Sequence, residues 1–198
     1  MNNIQFPVNF TFNISTLSND FTATDANGST IGYVKQKMFK LKEDINIYNN
    51  ESKTEINYKI KADRWLDFSA AYAFYNKEGN EIGKVARKGW KSLWKAKYEI
   101  IDKDQRVQYT ISEENAWIKV LDGLLGEIPI LGILTGYLFN PAYIVTNNEE
   151  KVIYRLKKMP SFFGRRFELN KLEETLNGDD SRIMLSLMMM SLLERRRG

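Results

Sequence analysis

Residues 183–193, IMLSLMMMSLL, constrain this chain more than any other segment. Nine of the eleven are large and apolar, and the exceptions are Ser186 and Ser191. The run has no polar face, and a helix that is apolar all round has to be surrounded by protein or by lipid. Eleven helical residues rise about 16 Å, whereas a bilayer core is about 30 Å thick. The run is too short to span a membrane unaided, so it is expected to plug a cavity walled by the rest of the chain. Asp179, Asp180 or Ser181 can cap its start, and Arg195, Arg196 and Arg197 complement the dipole at its end.

The wall is legible upstream. Phe10, Phe12 and Ile14 alternate with polar residues, as do Ile45 and Ile47, then Ile56, Tyr58 and Ile60. Phe68, Ala70, Tyr72 and Phe74 line one face of the next run, and Tyr98, Val107, Tyr109 and Ile111 continue the series. Period two with β-branched and aromatic residues marks half-buried antiparallel strands. The breaks are turn chemistry: Asp25-Ala26-Asn27-Gly28, Asn49-Asn50-Glu51, Asn76-Lys77-Glu78-Gly79, Asp102-Lys103-Asp104 and Asn147-Asn148-Glu149.

One unit recurs. DANGSTIGYVKQKMF at 25–39 aligns with NKEGNEIGKVARKGW at 76–90, so that Gly28, Ile31, Gly32 and Val34 fall on Gly79, Ile82, Gly83 and Val85. TNNEEKVIYRLKK from Thr146 is a looser third copy without the glycines. Each copy reads as a hairpin, and repeated hairpins point to a closed or nearly closed sheet. Gly32 and Gly83, inside strands, mark expected bulges or bends.

Residues 113–143 break the pattern: they are strongly apolar but interrupted by Gly123, Gly126, Pro129, Gly132, Gly136 and Pro141. A short helix over 114–125 and a second apolar stretch over 130–139 are expected, with Glu127 and Pro129 between them precluding one uninterrupted membrane helix. The favoured reading is an insertion packed over the barrel mouth, and the alternative is a hydrophobic hairpin dipping into a membrane. Glu168 to Leu176 is acidic and is expected to be helical, ended by Asn177-Gly178 before the terminal helix.

Composition removes several functions. The chain has no cysteine and no histidine. Disulfides, thiolate metal sites, and Ser-His-Asp or Cys-His catalysis are therefore excluded, and catalytic zinc loses its usual ligand. The paired acids Glu113-Glu114, Glu149-Glu150 and Glu173-Glu174 read as solvated surface, and GNEIGKV lacks P-loop spacing. We expect no enzyme, no cofactor and no metal site. MNNIQFPVNF has neither a basic region nor an apolar core, so no signal peptide is expected. With no cysteine, a cytoplasmic setting, peripheral to a membrane where lipid is bound, is the expectation.

Taken in order, FPVNFTF, DANGSTIGYVKQKMFKLKEDINIY, YNKEGNEIGKVARKGWKSLWKAKYEIID, Leu138-Phe139-Asn140-Pro141-Ala142-Tyr143 and the apolar C-terminal helix resemble the LURP-one-related family, which groups with tubby C-terminal domains and phospholipid scramblases. The resemblance runs over nearly the whole chain. It implies a mainly β fold: a closed antiparallel barrel of about twelve strands around a central hydrophobic C-terminal helix. The chain would be one domain, 1–198, with the barrel over 4–176, a short helical insertion near 113–139 and the core helix over 179–195. Two features depart from the family's short members: the longer apolar region 115–140, and a tail of three arginines.

Charge supplies the functional expectation. Residues 31–97 hold 15 Lys/Arg and 8 Asp/Glu, whereas 98–148 hold 3 and 7. Such asymmetry creates a field that draws anions. The resemblance implies phosphoinositide binding through basic residues on the barrel wall. By charge, the lipid or anion candidates here are Lys35, Lys37, Arg87, Lys88 and Lys91, with a second cluster of Arg155, Lys157, Lys158, Arg165 and Arg166. The expected function is a non-enzymatic intracellular module that binds anionic phospholipid headgroups or the membrane surface. The alternative is a soluble protein-interaction or stress-related scaffold without a lipid ligand, pairing with a protein partner or as a homodimer through the apolar 128–139 segment. Nucleic acid ranks below both, since basic and aromatic residues interleave only in GWKSLWKAKY. Scramblase-like transport would need the terminal helix to cross a membrane, and it is too short.

Overall fold

The computed structural model describes residues 4–13, 20–36, 44–62, 71–88, 97–114, 142–160, 166–175 and 179–195, without the side chains of Lys88, Glu194 and Arg195. The expected helical insertion near 113–139 falls almost wholly outside these residues.

Among the described residues twelve strands precede one helix: β1 Val8–Phe12, β2 Asp20–Thr24, β3 Thr30–Gln36, β4 Asp44–Tyr48, β5 Ile56–Ala62, β6 Ala71–Asn76, β7 Glu81–Lys88, β8 Lys97–Ile101, β9 Val107–Glu113, β10 Ala142–Asn147, β11 Val152–Met159, β12 Arg166–Lys171 and α1 Asp179–Arg195. β12 is a strand where the acidic run from Glu168 suggested a helix, because its alternating Phe167 and Leu169 are buried in the barrel. Every strand pairs antiparallel with its sequence neighbours, and β1 closes against β12. The expected twelve-stranded barrel is observed, and no sheet edge is left to recruit another chain.

Inward residues such as Phe10, Phe21, Val34, Ile45, Ile60, Phe74, Ile100, Ile111, Leu156 and Leu169 are fully buried, and they form one cluster with Ile183, Leu185, Leu187, Met188 and Leu192 of α1. The helix is the core. Its two polar residues are accommodated locally: Ser186 Oγ donates to the Arg182 carbonyl at 2.7 Å, and Ser191 Oγ to the Leu187 carbonyl at 2.8 Å. This back-bonding satisfies a hydroxyl where no water reaches. Unbranched methionines at 184 and 188–190 fill an irregular barrel interior without demanding one shape.

The up-and-down topology gives the barrel two unlike ends. At one, which we call the turn end, five short hairpins join β2–β3, β4–β5, β6–β7, β8–β9 and β10–β11, and α1 begins. The other, the connection end, is where β1–β2, β3–β4, β5–β6, β7–β8, β9–β10 and β11–β12 are joined.

The turn-end hairpins share one design. Each opens on an Asx residue whose side chain accepts backbone N–H groups across the turn: Asp25, Asn49, Asn76, Asp102 and Asn147. Each also has one residue at positive φ, namely Gly28, Lys53, Gly79, Gln105 and Glu150. Each return strand then slips by one residue, leaving Ile31, Asn57, Ile82, Gln108 and Ile153 as the extra residue of a bulge. Bulges increase twist and bend a strand, so this repeated unit curves the sheet closed.

Candidate functional site

Acidic residues gather at the turn end: Asp102, Asp104, Glu149, Glu150, Glu173, Glu174, Asp179 and Asp180 lie in its turns, in the link from β12 to α1 or at the start of α1. Two of them lock the helix. Asp179 Oδ2 accepts from Tyr109 Oη at 2.7 Å, and Asp179 Oδ1 accepts from Arg182, whose Nη2 also donates to Gln108 Oε1 at 2.6 Å. Asp180 accepts from Tyr154 Oη at 2.6 Å, from Lys171 Nζ at 3.0 Å and from Thr175 Oγ1. Burial opposes the charge on Asp180, but the bonds from Thr175, Tyr154 and Lys171 outweigh it and hold the carboxyl below its usual range. Burial, then the hydrogen bond to Asp179, pushes the Tyr109 phenol well above its ordinary value; burial and Asp180 do the same for Tyr154. The sequence suggested only a cap here. The tyrosine partners come from strands 26 and 70 residues away, and nothing local announces them.

The described basic candidates cluster at or toward the connection end. Lys35 on β3 lies in register between Asp20 and Asn46. Lys157 near the end of β11 and Arg166 at the start of β12 are both exposed. Lys158, beside Lys157, is in register with the buried Phe167 and shares the inward face. Arg155, nearer mid-strand, is engaged by Glu114 Oε2 at 2.9 Å from Nε and 2.8 Å from Nη2. Arg87 shares the inward face of Val85, two residues before it, and its Nε is buried without a hydrogen-bond partner among the described residues. Lys88 sits in register with Lys97 across β7 and β8. Lys37, Lys91 and Arg165 lie outside the described residues.

The register adds lysines that sequence reasoning passed over. Lys59 and Lys61 are exposed on β5, with Lys61 Nζ 5.2 Å from the Tyr75 ring centre, and Lys97 is exposed at the start of β8. Their signal was present as the polar half of an alternating strand, but only pairing brings them beside Lys35 and Lys88. The acids near this end have partners. Asp20, fully buried, accepts from Tyr33 Oη and from Asn13 Nδ2 at 3.0 Å, and Glu114 is held by Arg155.

An antiparallel barrel closed around its own C-terminal helix is a tubby-like fold. Within that class, the LURP-one-related family model matches residues 30–122, so the resemblance carried by the hairpin repeats is a match over that stretch. A solved X-ray structure of a protein from Arabidopsis thaliana is similar in fold, with a TM-score of 0.50 at 11% identity, covering 94% of this chain and 90% of that one. No curated protein matches the chain. No helix among the described residues is long and apolar enough to cross a membrane.

Proposed function

We propose that this barrel is a non-enzymatic module that binds anionic membrane surfaces, with phospholipid headgroups held at the connection end and on the wall beside it. The observation that carries the reading is the separation of charge between the two ends. Lys61, Lys97, Lys157 and Arg166 are exposed toward one end, while at the other the acids of the turns and of the helix start outnumber the exposed Lys53, Lys77, Lys103, Arg106 and Lys151. A negatively charged surface attracts the first end and repels the second, which orients the molecule as well as holding it. Each lysine near an anionic leaflet contributes about 1 kcal/mol, so several acting together suffice without any residue that penetrates the bilayer. The cytoplasmic leaflet, which carries the anionic lipids, is the surface such a module would meet.

The test is co-sedimentation with vesicles of phosphatidylcholine alone and with added phosphatidylserine or phosphoinositide. The expected result is pelleting on anionic vesicles only, lost as salt shortens the screening length from about 10 Å at 0.1 M to about 3 Å at 1 M. Pelleting that persists in high salt would transfer the role to the apolar 128–139 segment. No pelleting on any vesicle would refute the lipid reading and leave the protein-interaction scaffold.

A further inference from the structure

We propose that a cleft at the turn end, remote from the basic end, is a binding site for a neutral polyhydroxylated small molecule, a sugar or polyol. The cleft has a volume of about 770 Å³, within the range of roughly 300–1,000 Å³ typical of small-molecule sites. It lies between the β2–β3 turn, the start of β5 and the β6–β7 turn. Two of the bulged residues, Ile31 and Asn57, line it. Bulges re-aim side chains, and here they place an apolar floor and a carboxamide in one recess.

The chemistry of the lining selects the ligand. Asn27, Ser29 and Asn57 line the cleft and make no side-chain hydrogen bond among the described residues, and Asn76 uses only its Oδ1, accepting from Asn80 N at 2.8 Å. Unspent amides and hydroxyls supply donors and acceptors side by side, as vicinal hydroxyls require. Asp25 already spends Oδ1 on the backbone of its own turn, at 2.9 Å to both Asn27 N and Ser29 N. Lys77 and Glu78 are adjacent and of opposite sign. Phosphate needs converging cations, and Lys77 is the sole cation of the lining among the described residues. The apolar surface, from Ile4, Ile31 and the ring of Tyr58, is enough for a sugar face and too little for an acyl chain. The two neighbouring clefts, of about 520 and 510 Å³, differ: Gln108 and Asp179 line both, and each already accepts a hydrogen bond from Arg182.

The test is a ¹H–¹⁵N titration of the full chain with glucose, maltose and glycerol, and with spermidine and inorganic phosphate as charged probes. Saturable shifts of the Asn27, Asn57 and Asn76 side-chain amides with maltose or glucose, and not with phosphate, are expected. Asn57→Leu should weaken that binding at least tenfold while leaving distant backbone resonances in place; Asn27→Ala, in the exposed turn, repeats the test if the first variant misfolds. No saturable shift with any neutral probe, shifts with spermidine alone, or binding indifferent to both substitutions would overturn the proposal. Because this cleft and the basic end occupy opposite poles, its failure leaves the vesicle result unaffected.

Discussion

Gly83→Ala probes how the helix is seated in the barrel. Gly83 has φ +137°, a conformation L side chains rarely adopt, and it sits at the bulge of β7 beside α1. A Cβ there would stand 2.5 Å from the Ile101 carbonyl oxygen and 2.8 Å from Arg182 Cδ, against 3.4 Å where ordinary contact begins. Arg182 could swing, although that would disturb its bonds to Asp179 and Gln108. The Ile101 carbonyl is backbone of the paired strand β8 and can give only if the ladder shifts. Backbone strain of about 1–3 kcal/mol adds to overpacking of about 1–3 kcal/mol, so a loss of about 2–6 kcal/mol is expected. That is a large part of the roughly 5–15 kcal/mol by which a domain is stable. Urea unfolding followed by near-ultraviolet circular dichroism reads it directly. Gly28→Ala and Gly79→Ala are the controls: both glycines have positive φ, +78° and +84°, but nothing lies within 4 Å of the added carbon. They should cost only the left-handed strain of about 1–2 kcal/mol. If Gly83→Ala proved no costlier than these two, the close seating of Arg182 and β8 around Gly83 would be wrong.

Three further expectations concern the helix and its lock. Tyr154→Phe removes one donor from a partly buried carboxylate and should cost about 1–3 kcal/mol, measured by the same melts; a neutral result would show that Thr175 and Lys171 suffice for Asp180. The depressed folded-state value of Asp180 means its stabilisation is present above the ordinary carboxylate range and fades as pH falls below about 4. The raised values of Tyr109 and Tyr154 make the alkaline limit set in as pH rises above 10, their ordinary value. Stability against pH should fall at both limits, and Asp180→Asn should flatten the acid limb; an unchanged acid limb would assign it to other carboxylates. Truncation after Gly178 removes a core whose gross burial contributes about 10–25 kcal/mol, so a soluble product with native near-ultraviolet dichroism would contradict a barrel built around α1.

The barrel was readable because its signals are local. Alternating Phe10 and Phe12, or Ile45 and Ile47, and Asx-led turns announce strands and hairpins without knowledge of their partners. Three copies of the hairpin were visible where the described residues hold five. Glycine marks positive φ at 28 and 79, whereas Lys53, Gln105 and Glu150 adopt it without glycine, so the units at Asn49 and Asp102 passed as ordinary turns. Gly83 proved to be a backbone clearance as well as a bend. The helix was legible from its uniform apolarity, but not its lock, because Tyr109 and Tyr154 read as strand aromatics until pairing brought them over Asp179 and Asp180. Single lysines on strands look like wet faces in isolation. Lys61, Lys97 and Arg166 acquire meaning only when antiparallel order carries them toward one end, and the same order turns Arg87 inward.

The most direct test of the two-ended reading is charge reversal at each end, measured on phosphatidylserine vesicles. Lys61→Glu, Lys97→Glu and Lys157→Glu together should lower vesicle affinity at least a hundredfold, at about 1 kcal/mol or more per residue. Asp104→Lys with Glu150→Lys, at the turn end, should change it by less than about threefold, since that end faces away from the membrane and lies beyond a screening length of about 10 Å at 0.1 M salt. Affinity that followed total charge, rising with the second set as steeply as it fell with the first, would contradict an oriented basic end.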